Sequence, residues 1–116
     1  MKLLSRTEEL LLLTVCRLQH EAYGLNIREE VKTISGKSFS IGGIYVPLNR
    51  LVQKGLLKTE EGQPTEERQG RPRRRYVITT KGVAMLRDVQ ALHKQMWSGL
   101  PESIAIQLQF VSNKNA

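Results

Sequence analysis

The sequence predicts a mainly α-helical fold carrying one small β-hairpin. Three observations lead there. Apolar residues recur at helical spacing in four separate stretches. Two short β-prone runs, 56–61 and 74–79, face each other across a connection rich in Gly, Pro, Gln and charge. Within that hairpin, leading up to the last helical stretch, Gly70-Arg71-Pro72-Arg73-Arg74-Arg75 runs into Tyr76-Val77-Ile78-Thr79, a turn followed by a cationic arm.

The elements follow in order. Ser5-Arg6-Thr7-Glu8 fits a capping box and starts a helix over about 6–18. Leu10, Leu11, Leu12 and Leu13 make that helix apolar nearly all round, so it needs cover on more than one side, and a second chain is one source of it. Tyr23-Gly24 interrupts, and Ile27, Val31 and Ile34 mark a second helix over about 25–35, closed by Ser35-Gly36. Ser40 is placed to cap a third helix with Ile44, Leu48 and Leu51 on one face and Gly55 at its end. Pro47 inside it predicts a kink or a loosened first turn. After the hairpin, whose tip of about 62–73 is expected to be mobile, Thr79 caps a fourth helix from about Thr80. Its Met85, Val89, Leu92 and Met96 step by four, three and four, an a/d seam of roughly two heptads. The tail from Ser103 suits a strand by its alternation and a helix by Ile104, Leu108 and Val111; its last five residues are expected to be disordered. The expected division is a unit of three helices and a hairpin over 1–79, a separate C-terminal helix over 80–100 and a tail over 101–116.

With 116 residues, 40% of them hydrophobic and 25% charged, the chain has the size and composition of one soluble domain. No apolar run approaches the roughly 18 residues of a membrane span, so no membrane partner is expected. The start of the chain shows no signal-peptide pattern, and the single cysteine, Cys16, fits a reducing cytoplasm. The charge of +7 is uneven: net +1 over 1–37, +5 over 38–82 and +1 over 83–116. A basic middle third suits a polyanion such as nucleic acid, or is simply a solvated basic face. There is no phosphate-binding glycine loop, no metal-ligand spacing among His20, His93 and Cys16, and no nucleophile–base set; no catalytic role, metal or cofactor is expected.

Helix, helix, helix, strand, basic loop, strand, helix is the order of a winged helix-turn-helix followed by a C-terminal helix. The third helix would enter a DNA major groove about 12 Å wide, and the wing arginines would follow flanking phosphates or the minor groove. The chain resembles the PadR family of bacterial transcriptional regulators. The resemblance rests on Ser5 through Leu18, Tyr23-Gly24-Leu25, Ser40-Ile41-Gly42-Gly43-Ile44-Tyr45, Leu48-Asn49-Arg50-Leu51, Lys54-Gly55-Leu56-Leu57, and the Gly70 to Tyr76 wing with Ile78-Thr79 and Gly82. It departs where Val46 separates Tyr45 from Pro47, and where Tyr23-Gly24-Leu25 replaces the family's His-Gly-Tyr. The resemblance implies a cytoplasmic homodimer that represses transcription, is released by a small molecule or stress signal, dimerises through the C-terminal helix, and in short members binds flat aromatic compounds between subunits.

The expected DNA contacts are Ser40, Gly42, Gly43, Tyr45, Asn49, Arg50, Arg71, Arg73, Arg74 and Arg75. Tyr45 and Asn49 lie one turn apart, off the apolar face; the alternatives are that Tyr45 packs against the wing and Asn49 is only solvated. Gly42 and Gly43 allow close approach of backbone to phosphate. Strand alternation keeps Arg74 off the face shared by Arg73 and Arg75, so at least one arginine serves structure or solvent instead. Lys54 and Lys58 are weaker phosphate candidates. Leu11, Met85, Val89, Leu92 and Met96 are the expected dimer contacts, and a two-fold dimer predicts a pseudo-palindromic double-stranded operator. Trp97 and His93, one turn apart, form a candidate wall for an aromatic effector or else dimer core. The competing reading is a winged-helix module that binds a partner protein, with the basic wing incidental.

Overall fold

The computed structural model describes residues 3–64 and 72–111. Arg71, the tip of the hairpin and the last five residues lie outside these, and with them the expectations of a mobile tip and a disordered end. Five α-helices and one hairpin follow in the order α1 (Arg6–Leu18), α2 (Gly24–Ser35), α3 (Tyr45–Gln53), β1 (Leu57–Pro64), β2 (Pro72–Ile78), α4 (Thr80–Ser98) and α5 (Glu102–Phe110). A 3-10 turn, Gln19–Glu21, links α1 to α2.

Local chemistry sets most of these boundaries. Both halves of the α1 capping box form: the Glu8 N–H donates to Ser5 Oγ at 3.1 Å, and the Ser5 N–H donates to the Glu8 carboxylate at 3.0 Å. Glycine in left-handed backbone ends α2 at Gly36, φ 78°. At the end of α3, Gly55 takes φ 77°; its N–H bonds Val52 O at 2.9 Å and the Leu56 N–H bonds Leu51 O at 3.0 Å, satisfying carbonyls the helix would otherwise leave free.

The start of α3 differs from expectation. Ser40 caps a preceding turn, not the helix itself: Gly43 N–H donates to Ser40 Oγ at 2.9 Å and Ile44 N–H to Ser40 O at 3.2 Å, and α3 begins only at Tyr45. The delay has a reason in Pro47, which falls in the first turn of the shortened helix. There its missing N–H is one the helix would leave free anyway, so no kink is needed.

The core gathers Leu11, Leu12 and Val15 of α1, Ala22, Ile27 of α2, Ile44, Leu48 and Leu51 around α3, Leu56, Leu57 and Tyr76, all buried. Leu11 is fully covered within its own chain, so the expectation that α1 presents Leu11 to a second chain is corrected: α2, α3, β2 and α4 all pack on this helix and supply the cover. The hairpin is antiparallel with Leu57 opposite Ile78 and Glu60 opposite Arg75. An isolated bridge joins Tyr23 to Arg75, and Tyr76 N–H donates to Ala22 O at 2.9 Å, so the link before α2 braces the inner edge of the wing.

Thr79 fixes α4 twice. Its hydroxyl accepts from Gly82 N–H at 3.0 Å as the N-cap and donates to Gly55 O at 2.6 Å, tying α4 to the turn after α3. Gly82 lets the helix approach closely: a Cβ there would stand 2.7 Å from Ile78 Cγ1 and closer still to Leu56 O. Met85 and Leu86 pack on the core and Val89 is buried, whereas every described residue from Lys94 onward is exposed. The expected seam is therefore divided: Val89 is covered by this chain, Met85 and Leu92 partly, and Met96 is 67% exposed. The tail, open between strand and helix in the sequence, is the helix α5.

Candidate nucleic-acid interface

The second and third helices bring a polar helix face beside the wing. On α3 the core side is Leu48 and Leu51, and the opposite side exposes Tyr45, Val46, Asn49, Arg50 and Gln53. Ser40, Ile41 and Gly42 are exposed in the turn leading to it, and Gly43 is half-buried. A cleft of about 350 Å³ joins this helix to the wing, lined by Tyr23, Tyr45, Asn49, Arg73, Arg74 and the buried Tyr76.

Tyr45 is held where α2 begins. A Cβ on Gly24 would stand 2.7 Å from Tyr45 Cζ and 2.6 Å from its hydroxyl, so the ring lies on the glycine, 37% exposed. It packs on the start of α2, a partner that the sequence reading did not single out. Burial, then the neighbouring Tyr45 hydroxyl, raises the Tyr76 phenol above its ordinary range, so it stays a neutral phenol beneath the cleft.

The arginines divide into three environments. Arg73 lays its guanidinium over the Tyr23 ring, 3.7 Å from the centroid. Arg74 is exposed and makes no ion pair among the described residues. Arg75 pairs across the strands with Glu60 at 2.6 Å, and its Nε is buried with no hydrogen-bond partner among the described residues. That guanidinium holds the Glu60 carboxyl below its usual range. Arg75 was expected to contact DNA; the structure gives it to Glu60, because register sets the two opposite each other. Arg71 lies outside the described residues.

The two lysines considered for phosphate are likewise engaged. Lys54 pairs with Glu8, and Lys58 lies 3.8 Å from Glu60. Burial works to raise the Glu8 carboxyl, but Lys54 and the Ser5 backbone N–H outweigh it and leave the group below its usual range. Lys81 Nζ donates to Lys54 O at 2.9 Å. Arg50 remains exposed on α3 with no ion pair among the described residues.

The expected effector residues separate. His93 lies 3.0 Å from Glu9 on α1 and lines a cleft with Leu13, Leu86 and Val89. Trp97, 63% exposed, lines a different, apolar groove with Met96, Leu100, Ile104 and Leu108. One helical turn lies between them, yet α1 takes His93 while Trp97 projects beyond α1. Cys16 is half-buried and burial pushes its thiol up, which lowers its thiolate fraction at neutral pH. Among the described residues no three His, Cys, Asp or Glu side chains gather as a metal site would require, and no helix is long and apolar enough to cross a membrane.

Sequence reasoning missed Tyr23 as a wing partner. Its pairing with β2 joins residues about fifty positions apart, which no local pattern shows; the aromatic directly before Gly24 was the one visible trace.

A three-helix unit with an exposed polar third helix and a two-stranded arm alongside is the DNA-binding winged helix found in transcriptional regulators. Residues 12–88 match the model of the transcriptional regulator PadR-like family, and the chain belongs to that family. It is a family of transcription regulators and not of enzymes. The chain is similar to the structure of a PadR-like transcription factor from Bacteroides fragilis, at 30% identity and TM-score 0.63, covering 79% of this chain and 84% of that one. A PadR family regulator from Clostridium difficile R20291 is 26% identical at TM-score 0.54, covering 89% and 98%. One from Eggerthella lenta shares the fold at 24% identity and TM-score 0.61, covering 91% and 87%. No curated protein matches the chain.

Proposed function

We propose that this chain is a sequence-specific DNA-binding repressor that acts in the cytoplasm as a homodimer and is released by a small molecule. The observation that carries the reading is the shared cleft: Tyr45 and Asn49 of α3 and Arg73 and Arg74 of the wing face one space, so one nucleic-acid surface meets both. Asn49 and Arg50 face base edges, Tyr45, Ser40, Gly42 and Gly43 lie near the phosphates at the start of the helix, and Arg73 and Arg74, with Arg71, take the flanking backbone.

The dimer is supported from the other end of the molecule. Met96, Trp97, Leu100, Ile104 and Leu108 form an apolar groove that none of the described residues covers, and Phe110 beyond it is 80% exposed. A contiguous apolar surface of this kind in so small a domain marks an interface. A second copy laid on it would extend the seam of Leu92 and Met96 and place two α3 helices for a pseudo-palindromic site with half-sites about 34 Å apart. Trp97 at that interface is then the wall for a planar aromatic effector; His93, engaged by Glu9, would reach such a ligand only by leaving its partner.

The test is selection of bound sequences from a random DNA pool, repeated with candidate aromatic compounds. The reading expects one enriched pseudo-palindrome, released by at least one compound that also quenches Trp97 fluorescence. Coupling is reciprocal, so DNA must weaken that compound by the same factor. A pool that returns no enriched sequence refutes it.

A further inference from the structure

Val46 is a side chain that the DNA-binding reading leaves unexplained. It is 60% exposed, so it is not in place for the core. Helix propensity does not account for it either, since β-branched residues are mediocre helix formers. It also precedes Pro47, whose ring disfavours helical backbone in the residue before it. A polar or unbranched residue would serve the first turn of α3 better.

Its position gives the valine a use. At 3.6 residues per turn, Val46 lies about 60° around α3 from Asn49 on one side and about 40° from Arg50 on the other. It stands in the middle of the exposed face, between the two side chains best suited to base edges. Ile41, 63% exposed in the turn before the helix, adds a second branched apolar side chain at the same end. A helix that enters the major groove through its N-terminal turns presents these residues first. There every base pair offers hydrogen-bond donors and acceptors, and the A·T pair alone adds a methyl group, at C5 of thymine. A valine pressed against any other base edge would strip water from a polar group and return nothing.

We propose that Val46 is a specificity-determining residue of this regulator and reads the 5-methyl group of a thymine in each half-site. The assignment rests on the DNA-binding reading and adds to it the base that the operator carries beneath the first turn of α3. Asn49 and Arg50 read hydrogen-bonding edges beside it, so the thymine is flanked by positions whose identity depends on those two side chains.

The experiment uses the full chain and the site enriched from the random pool. Each thymine is replaced in turn by deoxyuridine, which removes the methyl and leaves pairing and hydrogen-bonding edges unchanged. Affinities are measured for the wild type, Val46→Ala and Val46→Thr. Burial of one methyl is worth about fourfold in affinity, hence about sixteenfold when both half-sites of a dimer are changed. The wild type should show that loss at one thymine per half-site. Val46→Ala should bind the thymine and deoxyuridine sites equally, with the affinity of the wild type for the deoxyuridine site. Val46→Thr, which keeps one methyl, should recover part of the discrimination. An enriched site at which no thymine methyl matters overturns this assignment and leaves the DNA-binding reading standing, as does discrimination that persists undiminished in Val46→Ala. Failure to enrich any sequence overturns both.

Discussion

The division of the wing arginines makes a quantitative prediction about salt. By sequence, four arginines and two lysines near the wing compete for phosphate. The structure withdraws Arg75, paired with Glu60, and Lys54, paired with Glu8, and leaves Lys58 beside Glu60. What remains for phosphate in each subunit is Arg73 and Arg74, with Arg71 as a third. Two to three phosphates per subunit, doubled in a dimer, give a slope of log affinity against log salt of about −4 to −5, at roughly −0.9 per phosphate. Between 50 and 200 mM salt, affinity should therefore fall by about two to three orders of magnitude. Arg74→Ala removes one contact from each subunit and should make the slope shallower by about 2. Arg75→Ala should leave the slope unchanged and lower the melting temperature instead, because it takes the partner from Glu60 and not from DNA. Fluorescence anisotropy on a fixed duplex at four or five salt concentrations, with thermal unfolding of the same preparations, separates the two. Equal changes of slope for Arg74→Ala and Arg75→Ala would refute the assignment of the arginines. A salt-independent affinity in the wild type would refute the electrostatic argument altogether.

Three further outcomes are expected. Asn49→Ala should weaken the enriched site by about 1–3 kcal/mol more than random DNA, since a base-edge contact carries sequence and a phosphate contact does not; equal losses on the two DNAs would make Asn49 a phosphate ligand. Met96→Asp changes a side chain 67% exposed in the single chain, so the variant should fold, sediment as a monomer and lose tight DNA binding; a dimer of wild-type stability would place the interface elsewhere. Glu8→Gln keeps a capping box, since Gln also accepts from the Ser5 N–H, and should cost about 1 kcal/mol through the lost Lys54 pair. Because the folded carboxyl lies below its ordinary 4.5, the wild type holds its full advantage over Glu8→Gln above about pH 4.5 and loses it as pH falls through the lowered value; urea titrations at pH 7 and pH 3 that show the same difference would sink this account.

Much of the fold was legible in the sequence because its signals are short-range. The Ser5/Glu8 box, the left-handed glycines Gly36 and Gly55, and the Thr79 cap each depend on residues within a few positions, and each formed where the pattern put it. Apolar spacing likewise located α1, α2 and α4, and the wing lay between its turn-rich flanks. The start of α3 was misjudged because Ser40 suits a turn as well as a helix, and the choice fell to Gly42-Gly43 and Pro47 acting together.

What tertiary structure alone decided is which partner each side chain takes. Glu8 finds Lys54, Arg75 finds Glu60, and Arg73 finds Tyr23, across separations of 46, 15 and 50 positions that no local pattern encodes. These pairings depend on strand register and on how helices pack, and both are set by the burial of apolar side chains elsewhere in the chain. The same reason explains why Leu11 is interior and why His93 and Trp97 part company one turn apart. The sequence by itself determined a basic winged helix; packing determined which of its cations remain free to meet DNA.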